Sequence, residues 1–121
     1  GLFLFRPIVD GPTARAQATE ILVATGDARV RINEILKMDP NSAIYLNGKN
    51  LIPSHIGSRT ETGEQIEIAS REISSQGEIK VFSPQLGVMF ILTPTHKNGE
   101  INWSCWGRPK NKVPYLCRET P

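Results

Sequence analysis

Apolar side chains return every three or four positions between Ala14 and Met38, at Ala14, Ala18, Ile21, Leu22, Ala28, Ile32, Ile35 and Leu36. That spacing predicts one amphipathic helix over 14–38, because residues three and four apart share a helix face. The opposite face carries Arg15, Glu20, Asp27, Arg29, Arg31, Glu34 and Lys37, with Asp27 and Arg31 four residues apart as a favourable pair. Thr13 is the expected N-cap, and Asp39-Pro40 ends the helix because a residue before proline avoids the helical region. Gly26 lies inside this helix at a cost of about 1 kcal/mol relative to alanine.

After residue 65 the pattern changes to alternation. Ile66 and Ile68 alternate with Gln65 and Glu67, Ile79 and Val81 with Glu78 and Lys80, and Ile101, Trp103 and Cys105 with Glu100, Asn102 and Ser104. Period two predicts half-buried strands at 65–73, 78–82, 87–93 and 100–106, separated by turn residues at Ser75-Gln76-Gly77, Ser83-Pro84 and Lys97-Asn98-Gly99. Between helix and strands, residues 39–64 hold many turn formers around the short apolar clusters Ile44 to Leu46 and Leu51-Ile52, which predicts an ordered surface loop. One helix followed by consecutive strands is an α+β arrangement. The expected fold is an N-terminal amphipathic helix covering one face of a roughly four-stranded antiparallel sheet that spans 65–106.

The chain's 121 residues, 39% hydrophobic and 21% charged, suit one globular core. Residues 1–13, GLFLFRPIVDGPT, follow no regular period and read as a loose arm or as residues derived from cloning, so the domain is expected over 14–121. No apolar run approaches the roughly 20 residues of a membrane-spanning helix. The net charge of +2 is mild for a dedicated nucleic-acid binder. Its location is more telling: Arg108, Lys110, Lys112 and Arg118, set against Glu100 and Glu119, carry the whole excess in residues 100–121.

The same segment holds both cysteines, Cys105 and Cys117. An even count at short spacing favours a disulfide closing the loop 105–117 in an oxidising compartment, with two free thiols as the alternative. Zinc would need further ligands at regular spacing, whereas His55 and His96 stand apart, so neither a metal nor another cofactor is expected. No glycine-rich phosphate loop or Gly-x-Ser-x-Gly elbow is present, and a Ser-His-Asp arrangement is neither supported nor excluded by scattered residues. The chain is therefore not expected to be an enzyme.

The stretch WSCWGRPKNKVPYLCR, 103–118, interleaves rings with cations. In one reading Trp103 faces the core and the cations are solvated. In the other, Trp106, Arg108, Lys110, Lys112, Tyr115 and Arg118 form a contact surface, rings supplying area and stacking while cations meet phosphates or acidic sugars. A closed loop would make such contact less costly by removing conformational freedom beforehand.

Leu92-Thr93-Pro94, Gly99-Glu100-Ile101-Asn102-Trp103-Ser104-Cys105, Pro114-Tyr115-Leu116-Cys117-Arg118 and Thr13-Ala14-Arg15-Ala16-Gln17 resemble segments of the type IV pilin family. The resemblance implies a pilin-like head domain serving as a structural subunit of a bacterial pilus used for adhesion, twitching motility or DNA uptake. It further implies other pilin subunits and the assembly machinery as partners, with surface or host glycans or DNA as further ligands. The location it implies is an extracellular filament, preceded by an inner-membrane form with a periplasmic head. The family's leader-processed, N-methylated apolar helix has no counterpart in GLFLFRPIVDGPT, so the expectation is a head whose spanning half was removed. Alternatives are a type II secretion pseudopilin, a minor pilin acting as a DNA or glycan receptor through the 105–117 loop, and a small periplasmic enzyme.

Overall fold

The computed structural model describes residues 12–119, so the expectation of a loose arm falls mostly outside the described residues. Helix α1 spans Pro12–Ala24 and helix α2 spans Gly26–Met38. A short α3, Gly48–Leu51, leads into β1 (His55–Arg59) and β2 (Gln65–Glu67), an antiparallel pair. Strands β3 (Ser70–Ile73), β4 (Ile79–Ser83), β5 (Val88–Lys97) and β6 (Glu100–Arg108) then form a four-stranded antiparallel sheet in the order β3-β4-β5-β6. The α+β class and the antiparallel sheet follow the sequence reading.

The single helix expected over 14–38 is two helices, and Thr13 lies inside the first of them rather than capping it. The break is at Thr25, where the chain adopts φ −84° and ψ 2°. Its amide and hydroxyl both donate to the Leu22 carbonyl, at 3.1 and 2.6 Å, replacing a helical bond with a tighter one. Arg29 completes the joint, its Nε donating to the Thr25 hydroxyl at 3.1 Å and its Nη2 to the Leu22 carbonyl at 3.3 Å. The apolar stripe survives the break: Ala14, Ala18, Ile21, Ala28, Ile32 and Leu36 are all buried.

Other boundaries differ too, the strands expected over 87–93 and 100–106 running on to Lys97 and Arg108. Residues 39–64 hold α3 and β1, and the strand expected over 65–73 is divided between two sheets. The division falls at Ile68 and Ala69, whose amides donate to different neighbours, the Ser54 carbonyl at 2.7 Å and the Phe82 carbonyl at 2.8 Å. Apolar alternation runs through Ile66 and Ile68 and ends at this transfer, since Ser70 and Glu72 follow in phase; the loss of phase marks the change of backbone partner inside what reads as one strand.

One face of the larger sheet supplies the core. Ile79, Val81, Val88, Phe90 and Leu92 are buried with Ile21, Ile32, Ile44, Ile52, Ile66 and Ile68. Burying a Val, Leu, Ile or Phe side chain contributes roughly 1.5–3 kcal/mol, so these positions dominate stability. Trp103 joins this side, its indole nitrogen donating to the Asn33 amide oxygen at 2.8 Å, which ties β6 to α2. The core-facing reading of Trp103 is the one realised.

Candidate functional site

β6 is an edge strand, and the chain beyond it folds back as a compact lobe of two 3-10 turns, Lys110–Lys112 and Tyr115–Cys117. Cys105 and Cys117 are joined by a disulfide, with Cα atoms 4.7 Å apart. Val113, fully buried, anchors the middle of the lobe against the core. Gly107 makes this possible. A Cβ there would stand 2.8 Å from Phe90 Cδ1 and 3.0 Å from Val113 Cγ1, so the missing side chain lets ring and lobe close on one another.

Three further bonds hold the lobe. Arg15 Nη1 donates to the Asn111 carbonyl at 3.3 Å, Lys112 Nζ to the Leu86 carbonyl at 3.3 Å, and Arg118 Nε to the Val113 carbonyl at 3.2 Å. The outer surface combines rings and charge. The Arg108 guanidinium lies 4.6 Å from the centroid of the Trp106 ring, and that of Arg118 lies 5.8 Å from the centroid of Tyr115. A guanidinium near a ring face is attracted by the ring's quadrupole, and each is further tied to the backbone, Arg108 Nη1 donating to the Gly107 carbonyl and Arg118 Nε to that of Val113, which leaves their remaining N–H groups for an oxygen acceptor. Tyr115 is 70% and Leu116 81% exposed, while Lys110 is exposed on the turn between them and the sheet.

Of the six contact residues read from the sequence, Trp106, Arg108, Lys110, Tyr115 and Arg118 share this lobe and the adjoining strand. Lys112 belongs to it as a brace, through its bond to Leu86. An apolar recess of about 340 Å³ separates the lobe from the helix joint, lined by Leu22, Arg29, Trp103, Pro114, Leu116 and Cys117 among others. A second depression of about 570 Å³ lies across β6, lined by Trp106, Ile91, Thr93, Ser104, Glu78 and Glu119 among others.

The histidines lie elsewhere. His55 is on β1, its Nδ1 2.9 Å from the hydroxyl of the adjacent Ser54, and His96 is at the exposed end of β5. Among the described residues no three His, Cys, Asp or Glu side chains group as metal ligands.

The sequence reading missed the open face of the sheet. Phe82 on β4 and Ile91 on β5 lie on the face away from the core, the same face as Lys80 and Trp106. The signal was available: in Ile79-Lys80-Val81-Phe82-Ser83 the alternation puts a phenylalanine where a polar residue is expected.

Comparison with curated proteins finds partial likeness to large ribosomal subunit protein uL24 of Coxiella burnetii, in strains Dugway 5J108-111 and RSA 331 / Henzerling II among others. The identity is 31% over 65 residues, 53% of this chain and 61% of the relative. The chain thus spans less than two thirds of the length of these relatives. No family model matches, and no solved structure matches.

These findings overturn the pilin expectation, because the named likeness lies with a ribosomal protein and no pilin is found. The pilus and pseudopilin functions go with it, as do pilin subunits, assembly machinery, and glycan or DNA receptor roles. So do the membrane-inserted precursor and the extracellular filament. No helix among the described residues is long and apolar enough to cross a membrane. The physical reason for the false resemblance is local. Trp-x-Cys followed by Pro-x-x-Cys describes an edge strand clasped to a returning turn, a solution that depends on β geometry rather than on ancestry.

Proposed function

We propose that this chain is a non-catalytic RNA-contacting protein, a component of a ribonucleoprotein assembly, and that it holds the RNA backbone with its C-terminal lobe. The observation that carries this reading is the pair of guanidiniums set near aromatic rings, Arg108 by Trp106 and Arg118 by Tyr115, together with exposed Lys110 on a crosslinked scaffold. Guanidinium edges match phosphate oxygens in two-point contact, and a scaffold that is already ordered spends little entropy on binding. The partial likeness to a large ribosomal subunit protein supports RNA as the polyanion. The mild net charge fits a small footprint, since the excess lies where the contact is made.

Titration of a fluorescent RNA stem-loop across a salt series tests this. Affinity should fall steeply as salt rises, and the double variant Lys110→Ala, Arg118→Ala should bind more weakly with a slope shallower by roughly 1.5–2. Salt-independent binding, or a slope unchanged in the double variant, would reject the lobe as the phosphate contact.

A further inference from the structure

Among the described residues, the larger sheet is covered on one face only. Its inner positions Ile79, Val81, Ser83, Val88, Phe90 and Leu92 are buried, while Lys80 and Phe82 between them are exposed. The strand register arranges the outer face in rows. Ser70, Phe82, Met89 and Arg108 stand side by side across β3, β4, β5 and β6, and Glu72, Lys80, Ile91 and Trp106 form the next row. A third row holds Glu78, whose carboxylate accepts from the Thr93 hydroxyl at 3.1 Å, with Ser104 opposite Thr93.

We infer that this open face is a stacking platform for single-stranded RNA with a seat for guanine beside Trp106; the inference rests on the proposed RNA contact and deepens it. Two rings, Phe82 and Trp106, lie on strands separated by one intervening strand, roughly 10 Å apart laterally. Met89 and Ile91 floor the space between them. Flat rings on a rigid sheet take unpaired bases by their faces, whereas the paired bases of a duplex are closed to such contact.

Charge on this face is sorted, and that sorting selects the occupant. Lys80 and Arg108 accompany the rings, and Arg108 joins the platform to the cationic lobe. Two of the three carboxylates are at the other end, Glu78 and Glu119 lining the depression of about 570 Å³ together with Trp106, Ile91, Thr93 and Ser104, while the third, Glu72, stands opposite Lys80. Phosphates are repelled from that end and drawn to the cations. A base stacked on the Trp106 face that Arg108 leaves open then turns its hydrogen-bonding edge toward acceptors. Guanine presents two adjacent N–H donors there, N1–H and N2–H, which a carboxylate can accept together. Glu72, in the same row as Lys80, adds a negative border on the β3 side and confines the backbone to the β6 side.

The test compares wild-type protein, Phe82→Ala and Glu78→Gln for binding to a single-stranded G-containing oligoribonucleotide, oligouridylate and an RNA duplex. Phe82 is 36% exposed and outside the lobe, so its truncation leaves both the fold and the proposed phosphate contact in place. Single-stranded RNA should bind more tightly than duplex and quench tryptophan fluorescence. Phe82→Ala should weaken it about tenfold with an unchanged salt slope, and Glu78→Gln should abolish the preference for guanine over uridine. Duplex binding equal to single-strand binding, or full affinity in Phe82→Ala, would overturn the platform while leaving the lobe contact standing. A protein that binds none of these RNAs would overturn both.

Discussion

Single residues decide where this chain can close on itself. Gly48 opens α3, and a Cβ at that position would stand 2.2 Å from the Arg71 carbonyl oxygen and 2.8 Å from its carbon. These are backbone atoms of β3, so they cannot turn aside as a side chain would. Arg71 reinforces the contact, its Nη1 donating to the Ile52 carbonyl at 3.0 Å and the Lys49 carbonyl at 3.3 Å. Gly48→Ala should therefore destabilise the protein by about 1–3 kcal/mol, an overpacking cost. Chemical denaturation would show this as a lower midpoint. A midpoint within error of wild type would mean that β3 yields more readily than its hydrogen bonds suggest.

At the scale of elements, the strands owe their register to their turns as much as to their alternation. The β5–β6 hairpin pairs Lys97 with Glu100 across Asn98-Gly99, and both turn residues have positive φ, 54° and 77°. That is the conformation of a two-residue turn whose twist matches its flanking strands. Gly99→Val forces a β-branched residue into left-handed backbone, at a cost of roughly 1–2 kcal/mol. The loss should appear first as faster amide exchange near the hairpin end, between Thr95 and Asn102, before the sheet as a whole melts. Uniform loss of protection through β3 and β4 would show instead that the hairpin is not a separable unit. The Asn-Gly pair was legible because its chemistry is local. The break at Thr25 was not, since it depends on Arg29 reaching back to Leu22 after the turn has formed.

The described residues join three helices, two sheets and a terminal lobe, and the Cys105–Cys117 bond fixes the last of these to the edge strand. Closing a loop of 12 residue separation contributes about 3 kcal/mol by restricting the unfolded chain. Cys105→Ser with Cys117→Ser should lower stability by that order and weaken RNA binding, as the cations lose their fixed spacing; unchanged affinity would show that the lobe is held by Val113 and its hydrogen bonds alone. Disulfides persist in oxidising compartments, whereas ribosomes work where thiols are kept reduced. Thiol trapping of the protein from cells therefore distinguishes a permanent clasp from a bond that opens and closes with redox conditions. The α+β class, the buried stripe on Ala14 to Leu36, the alternating strands and the pairing of two cysteines were determined by the sequence itself, because each rests on periodicity or on a short covalent span. Tertiary structure alone decided the division of residues 65–73 between sheets, the bracing of Lys112 by Leu86, and the alignment of Phe82 with Met89 and Arg108. These depend on which backbone groups meet across the fold, and a linear pattern of side chains carries no record of that choice.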